Sequence, residues 1–495
     1  MRRVLPLTDE AALFDAAQTR ALERREAARL PAHTLMRRAG EAVARLALAI
    51  APHAQRMWVA AGPGNNGGDG LEAAMHLTQW GKQVRVTLLG DAAALPADAQ
   101  AALARAVAAG VRIDTDAATT DTPQIAIDAL LGVGANRAPG GSIAQAICAL
   151  NALACPVLAV DLPSGLNADT GQALGEDCVV ATHTLALLTL KPGLFTAAGR
   201  DHTGQAWLDT LEVDTADIAP RAWLCGLGPG APARRHAQHK GSFGDVGVVG
   251  GAAGMRGAAL LAARAAHAAG AGRVHVELLG RDAMAIDPLC PELMFREGWS
   301  RSAPDVLARA SVVCGCGGGD AVRTVLPRLL SLAARLVLDA DALNAVAADA
   351  SLAPLLRTRA TRGLATVLTP HPLEAARLLA CTTTEVQADR LAAACTLAEC
   401  YDAVVVLKGS GSVIAMKGTV PRINSTGNAA LATAGTGDVL AGWLAGRWAQ
   451  RPSGDEASTA FATAIRAVAE HGAAAEPQPA GSLRASDLIE RLHRR

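Results

Sequence analysis

Short apolar runs alternating with helical patterns limit this chain's fold more than any other feature. In the first half the runs fall at residues 56–60, 83–89, 124–131, 156–160 and 184–190, with helical stretches such as 97–109 and 143–150 between several of them. That order predicts a mostly parallel sheet covered on both faces, with ligands bound beyond the C-terminal ends of its strands. The loops after the runs are therefore where chemistry is expected. They read "GPGNNGGDG", "DALLGVGANRAPGG" and "DLPSGLNADTG", each joining glycine to an acid or amide. A plain strand-to-helix turn does not need such a run of Gly, Pro, Asn and Asp. Glycine allows positive φ and close backbone approach to a ligand, and amides at a helix start attract anions. The side-chain amides and the carboxylate can also bind cations and hydroxyls.

A chain of 495 residues is too long for one ordinary core. The alternation lapses into a Pro-, Gly- and Arg-rich stretch, and residues 216–235 are read as a linker between a domain at 1–215 and another at 236–495. A second α/β series follows, with strand-like runs at 247–250, 273–278, 311–313, 336–339, 365–368, 403–407 and 413–416. Lys plus Arg and Asp plus Glu both total 46, so no global field favours nucleic acid or an anionic membrane, and neither is expected as a partner. The N-terminus lacks a secretory pattern, and no apolar run reaches the roughly 18 residues that span a bilayer. A cytoplasmic protein is expected. Ten cysteines follow no metal-ligand spacing and read as buried free thiols, Cys314 and Cys316 being the closest pair.

In the second half, "AGTGD" precedes an apolar helical run, which puts Gly435, Thr436 and Gly437 at a helix N-terminus. Their amides can hold a transferring phosphoryl group while Asp438 faces the acceptor hydroxyl as base. The plainer reading is an Asp favoured by the helix dipole. "KGSGS" reads as a turn between strands from which Lys408 and Ser412 can meet a nucleotide's ribose and phosphates. His371, between two prolines in "TPHP", either points into the site or caps the next helix.

These segments, with "KGSFG", "GMRGAA", "LDADALN", "STGN" and "GTGDVLAG", make the second half resemble the ribokinase-like NAD(P)H-hydrate dehydratase family. The first half resembles NAD(P)H-hydrate epimerase through "LMRRAG", "GNNGGDG", "DALLGVG", "DLPSG" and "LTLKPGL". Together the resemblance covers nearly the whole chain and matches the fused bifunctional repair family. It implies a Rossmann-like N-terminal α/β domain and a ribokinase-like α/β/α C-terminal domain. It implies that Asn65, Asn66, Gly67, Gly68 and Asp69 bind the hydrated dinucleotide, and that Gly132, Val133, Gly134, Ala135, Asn136, Arg137 and Ala138 contact its pyrophosphate side. Asp161 would contact substrate and assist epimerisation, with Lys191 as the other candidate for the proton transfer. Asn66, Asp128 and Ser164 correspond to potassium-site residues.

For the second half, the resemblance implies that Lys408, Gly409, Ser410, Gly411, Ser412 and Gly437 bind ADP, with Mg2+ on the phosphates. Ala258, Gly319, His371 and Asp438 would bind the hydrate, Asp438 being the catalytic base. The expected substrates are NADHX and NADPHX. Their R and S forms would be epimerised, and the 6S form dehydrated with release of AMP and phosphate. Bacterial members use ADP and eukaryotic ones ATP, and the sequence leaves that choice open. A homo-oligomer is expected. The sequence departs from the family's usual pattern in "GCGGG" at 315–319, where "GPGLG" is usual, and at Leu373 and Ala434, where Gly is common. The alternative is a ribokinase-like small-molecule kinase with a non-catalytic N-terminal nucleotide-binding module.

Overall fold

The computed structural model describes residues 1–7, 9–115, 122–228, 234–280, 284–452, 454–476 and 481–495. It divides into two units, Met1–Leu7 with Ala11–Leu224 in the first and residues 9–10 with Cys225–Arg495 in the second.

The sheet of the first unit runs Arg2–Arg3, Gln205–Asp209, His183–Leu187, Val157–Val160, Ile125–Ala129, Arg56–Ala61, Gln83–Leu88 and Arg112–Asp114. All neighbours are parallel except Arg2–Arg3, which pairs antiparallel at the edge. In the parallel part of the sheet the chain enters at Arg56–Ala61, moves outward to Arg112–Asp114, then returns to the other side of Arg56–Ala61 at Ile125–Ala129. Strand order therefore reverses between Arg56–Ala61 and Ile125–Ala129, the place where open α/β sheets bind ligands. Alternate residues of Arg56–Ala61 serve different cores. Met57, Val59 and Ala61 pack with the helices Thr34–Ile50 and Asn65–Gln79, while Trp58 and Ala60 pack with Ile147 and Leu150 of Gly141–Asn151. That period-2 alternation makes the unit a three-layer sandwich.

In the second unit the order is Met294–Phe295, Arg273–Leu278, Asp245–Gly250, Ala310–Cys314, Arg335–Leu338, Ala365–Leu368, Val404–Leu407, Val413–Ala415 and Arg422–Asn424. It is parallel through Val404–Leu407 and antiparallel after it. The helices Arg256–Ala268 and Thr436–Ala449 pack almost backbone to backbone. A Cβ on Gly442 would lie 1.9 Å from the Ala262 carbonyl oxygen, and one on Gly446 would lie 2.6 Å from that of Ala266. Ala259, Ala262, Ala263, Ala265 and Ala266 are buried in this contact, so the alanines of that helix serve packing inside one unit.

Several expectations change. Residues 216–235, read as linker, hold the strand Ala222–Cys225, which pairs antiparallel with Ala11–Leu13; residues 229–233 of that stretch lie outside the described residues. Ala222 and Leu224 are buried, but two apolar positions do not stand out among Pro, Gly and Arg. Gln205–Asp209 and Arg112–Asp114 were not predicted as strands, being short and rich in polar residues. The cysteines form no disulfide, but Cys148 and Cys400 are exposed and Cys155, Cys290, Cys381 and Cys395 are only partly buried.

Candidate functional site

The first unit holds a cavity of about 880 Å3 at the strand-order reversal, within the range of cofactor-sized sites. Asn65, Asn66, Asp69, Asp161 and the whole stretch from Gly132 to Ala138 line it, so the structure brings these predicted residues together. Asn65–Asp69 is the start of the helix Asn65–Gln79 and not the loop the glycines suggested. Nor do Gly67 and Gly68 need positive φ. They are required for approach: a Cβ on Gly67 would sit 2.0 Å from the Gly62 carbonyl oxygen, and one on Gly68 would sit 2.9 Å from Ala99 Cα. The helix is thereby pressed down so that its first turn faces the loop after Ile125–Ala129, where a Cβ on Gly132 would come within 3.1 Å of Asn66 Oδ1.

Asp161 follows the strand Val157–Val160 at φ 68, a left-handed backbone that aspartate tolerates better than most residues. Its amide donates to the Leu185 carbonyl at 2.8 Å. Its Oδ1 accepts from the Leu187 amide at 3.1 Å and from the ammonium of Lys191, which is fully buried and also donates to the Leu187 carbonyl at 2.9 Å. Lys191 is thus committed to orienting Asp161, and the Asp161 carboxylate is the group presented to the cavity.

Below the cavity lies a buried polar knot. Asp128 accepts from Ser164 Oγ at 2.6 Å, from the Ser164 amide at 2.8 Å and from the Leu130 amide at 3.2 Å. Burial outweighs these bonds and pushes its carboxyl up to about 6. Asn66 is buried as well, and its Nδ2 has no hydrogen-bond partner among the described residues. Asp128 and Ser164 thus form one buried hydrogen-bonded pair, and Asn66 lies beside Gly132 on the loop that follows Asp128.

Sequence reading missed Glu23, His33 and Asp98, which also line the cavity. His33 Nδ1 lies 2.5 Å from Asp98 Oδ1. Glu23 sits on the helix Ala16–Ala27, in a stretch whose only visible signal was helical periodicity.

In the second unit Gly435 takes φ 90 ahead of the helix Thr436–Ala449, and Asp438 lies in its first turn. Burial, with Asp339 nearby, pushes the Asp438 carboxyl up to about 6. Buried His471 donates from Nε2 to the Thr436 carbonyl at 2.9 Å and is held neutral by burial, near 4. Lys408 Nζ lies 2.6 Å from Asp339 Oδ1 and 3.9 Å from Glu374, and a Cβ on Gly437 would be 3.3 Å from it. Burial opposes its charge, but Asp339 and Glu374 outweigh burial and hold it above the usual lysine range. The departure Cys316 is fully buried, with its Sγ 3.9 Å from Asp339 Oδ2 and hydrogen-bonded to Asp438. Burial first, then Asp438 and Asp339, keep that thiol protonated.

Gly315 and Gly317, at φ 119 and 58, set the backbone around Cys316; a Cβ on Gly315 would be 1.9 Å from the Asp339 carbonyl oxygen. Gly319, at φ 52, donates its amide to Asp341 at 2.8 Å, and Ala258 lies beside Gly317. His371 caps Pro372–Leu379, its Nδ1 accepting from the Leu373 and Glu374 amides at 3.1 and 3.3 Å. Gly409, Ser410, Gly411 and Ser412 form the turn between Val404–Leu407 and Val413–Ala415, where Arg390 donates to the Leu407 and Lys408 carbonyls.

A family described as NAD(P)H-hydrate dehydratase matches residues 246–494, and one described as YjeF-related protein N-terminus matches residues 32–193. The chain is 36% identical over 487 residues to the bifunctional NAD(P)H-hydrate repair enzyme of Escherichia coli (strain K12), covering 94% of this chain and 90% of that one. It belongs to the bifunctional NAD(P)H-hydrate repair enzymes. The repair enzyme of Coxiella burnetii is 35% identical, with 97% of this chain and 98% of the relative covered. An ADP/ATP-dependent NAD(P)H-hydrate dehydratase from Bacillus subtilis, co-crystallised with ATP and Mg2+, is 29% identical over 53% of this chain and 92% of its own, with a TM-score of 0.43. In this repair-enzyme chain Asp161 and Lys191 fall in the N-terminal family match and Lys408 and Asp438 in the C-terminal one. Glu23 lies outside both. Among the described residues, no helix is long and apolar enough to cross a membrane.

Proposed function

We propose that the N-terminal unit interconverts the R and S hydrates of NADH and NADPH, and that the C-terminal unit dehydrates the 6S form at the expense of ADP. The observation that carries the reading is the cavity of about 880 Å3 lined by Asp161, which Lys191 holds from behind, at one strand end and by the Gly132–Ala138 loop at the next. Exposed Arg137 on that loop supplies charge for a pyrophosphate, and the Asp161 carboxylate meets the nicotinamide end. Asn66, Asp128 and Ser164 fit a potassium ion. They offer an amide oxygen, a buried carboxylate and a hydroxyl, and the ion would balance the charge of Asp128 beside the bound dinucleotide.

In the C-terminal unit Asp438 accepts the C6 hydroxyl proton as that oxygen attacks the β-phosphorus of ADP, with AMP leaving. The C6–O bond then breaks with phosphate as the leaving group, and loss of a C5 proton restores the C5=C6 double bond. Hydroxide leaves poorly and phosphate well, which is why the nucleotide is consumed. The amides of Gly435 and Gly437 and the Lys408 ammonium offset charge on the moving phosphoryl group. Mg2+ prefers oxygen ligands. The Cys316–Asp339–Asp438 cluster places a thiol among its three donors, so it does not fit as a dedicated Mg2+ cage. The cation would instead be carried on the nucleotide phosphates, where it neutralises charge.

The test uses the purified chain with mixed R and S hydrates of NADH, K+, Mg2+ and ADP, followed at the reduced-nicotinamide band. Recovery of the whole mixture with AMP and phosphate in equal amounts is expected. Recovery that stops at the S fraction would remove the epimerase part, and a stable phosphoester product would replace repair with a kinase. Running ATP in parallel decides the nucleotide, and light scattering tests the homo-oligomer that belongs to this reading.

A further inference from the structure

The N-terminal cavity carries more carboxyl groups than a doubly anionic ligand tolerates with all of them charged. Glu23, Asp69, Asp98 and Asp161 all line it. Lys191 neutralises Asp161, and His33 lies against Asp98. Among the described residues no ion pair is formed by Glu23 or Asp69, and Glu23's hydrogen-bonding neighbour is the Asn65 side chain. Asp69 is held in place. It lies between Gly68 and Gly70, whose Cβ atoms would come within 2.9 Å of Ala99 Cα and 2.5 Å of Ala129 Cβ, so its helix is clamped between the helix Ala97–Ala108 and the end of the strand Ile125–Ala129.

We propose that Asp69 is the proton donor of the epimerase reaction, with Asp161, which lines the same cavity, as acceptor. The proposal rests on the epimerase reading of this cavity. Epimerisation at C6 by ring opening needs one group of each kind. The Asp161 carboxylate takes the proton of the C6 hydroxyl, the C6–O bond becomes a carbonyl, and the C6–N1 bond breaks. Its electron pair stays on N1, which takes the proton of the Asp69 carboxylic acid. Rotation about C5–C6 presents the other face. The N1 lone pair then attacks C6, N1 returns its proton to Asp69, and the oxygen regains its own from Asp161. No oxidant or reductant is needed.

The groups facing Asp69 suit a donor. They are Glu23 from the helix Ala16–Ala27, Asp98 with His33, Asp161 with Lys191, and Glu72, which lies on the same helix and is paired with Arg105 at 2.7 Å. Burial, then the like charges of Asp161 and Glu23, hold the Asp69 carboxyl well above the usual carboxylate range. Asp161 lines the same cavity with the Lys191 ammonium against it and the Leu187 amide donating to it, whereas Asp69 has like charges around it. Two carboxyl groups in such different surroundings make an acid–base pair.

The test uses the full chain with the pure S hydrate of NADH, without ADP, and follows appearance of the R form by chromatography across pH. The wild type is expected to lose kcat on the alkaline side as Asp69 ionises. D69N is expected to lower kcat about 100-fold or more, to change KM little, and to lack that alkaline limb. E23Q removes a like charge, so it is expected to move the limb to lower pH, which a merely structural role would not do. D69E, which restores an acid, is expected to restore the limb. A D69N protein with wild-type kcat, or an alkaline limb unmoved in both D69N and E23Q, would overturn the proposal alone. A wild type that does not epimerise would overturn the epimerase reading and the proposal with it.

Discussion

Lys191→Met tests the structural argument where it is most exposed. Lys191 is fully buried, and its ammonium has two acceptors, Asp161 Oδ1 and the Leu187 carbonyl. Methionine keeps the length and removes the charge, leaving the Asp161 carboxylate with the Leu187 amide at 3.1 Å as its one remaining donor of the two. Removing one partner of a buried ion pair costs about 3–5 kcal/mol, because the other is left charged and unpaired. Asp161→Asn leaves the opposite problem, a buried ammonium facing one neutral carbonyl, at a cost of the same order. The double variant has no charge to strand, so its loss is expected to fall short of the sum of the singles by about 2–3 kcal/mol. The readout is hydrogen exchange by mass spectrometry on peptides covering His183–Leu187 in the intact chain, because unfolding of a two-unit protein by one global probe is not two-state. Single variants within about 1 kcal/mol of wild type, or additive losses, would show that the pair does not organise this strand end and would refute the placement of Asp161 by Lys191.

Three further outcomes follow from the same geometry. With its carboxyl near 6, Asp438 is a base only above that pH, so the dehydratase rate is expected to fall about tenfold between pH 7 and pH 5, and D438N to lose about 100- to 10,000-fold at pH 7.5. Gly67→Ala drives a Cβ to 2.0 Å from the Gly62 carbonyl oxygen, and is expected to lower the melting temperature of the first unit and abolish epimerisation, both measurable in one preparation. Exchanging K+ for choline is expected to lower the melting temperature of the wild type, while D128N, which removes the buried carboxylate, melts alike in both salts.

Sequence pattern reached the frame of both units because parallel strands buried on both faces read as apolar runs. The predicted runs 56–60 and 273–278 became Arg56–Ala61 and Arg273–Leu278. It failed at edges, where Arg112–Asp114 carries charge and the pattern fades. The glycine-rich "NNGGD" was legible as a site but not as a helix, because the reason for its glycines is how close Gly62 and Ala99 come, which only the tertiary fold supplies. "GTGD" was legible because a helix start is a local feature. Asp339 and Cys316 were not assigned roles, because their meeting with Asp438 joins the ends of two strands to a later helix. Lys408 was placed on a nucleotide, as a lysine in a glycine turn suggests. Its tight pairing with Asp339 shows that it also sets the charge beside the base, which no local spacing encodes.

The two units, with unrelated strand orders, use one electrostatic arrangement. Each ends a parallel strand on a carboxylate held by a lysine: Asp161 by fully buried Lys191 in the first and Asp339 by partly buried Lys408 in the second. Each then places another carboxyl group from the early part of a helix close by, Asp69 and Asp438, and burial with like charge drives that one up. In each unit the lysine-paired aspartate lies near a second carboxyl group, which burial and that aspartate's charge push up, without needing any unusual residue. The neighbour's use then depends on how far it is driven. Asp438, near 6, is free to act as a base at neutral pH, whereas Asp69, driven well above the carboxylate range, keeps its proton to give. Moving either lysine's charge should therefore change the acid–base role of the second carboxyl group, and the pH profiles of K191M and K408M are where that would be read.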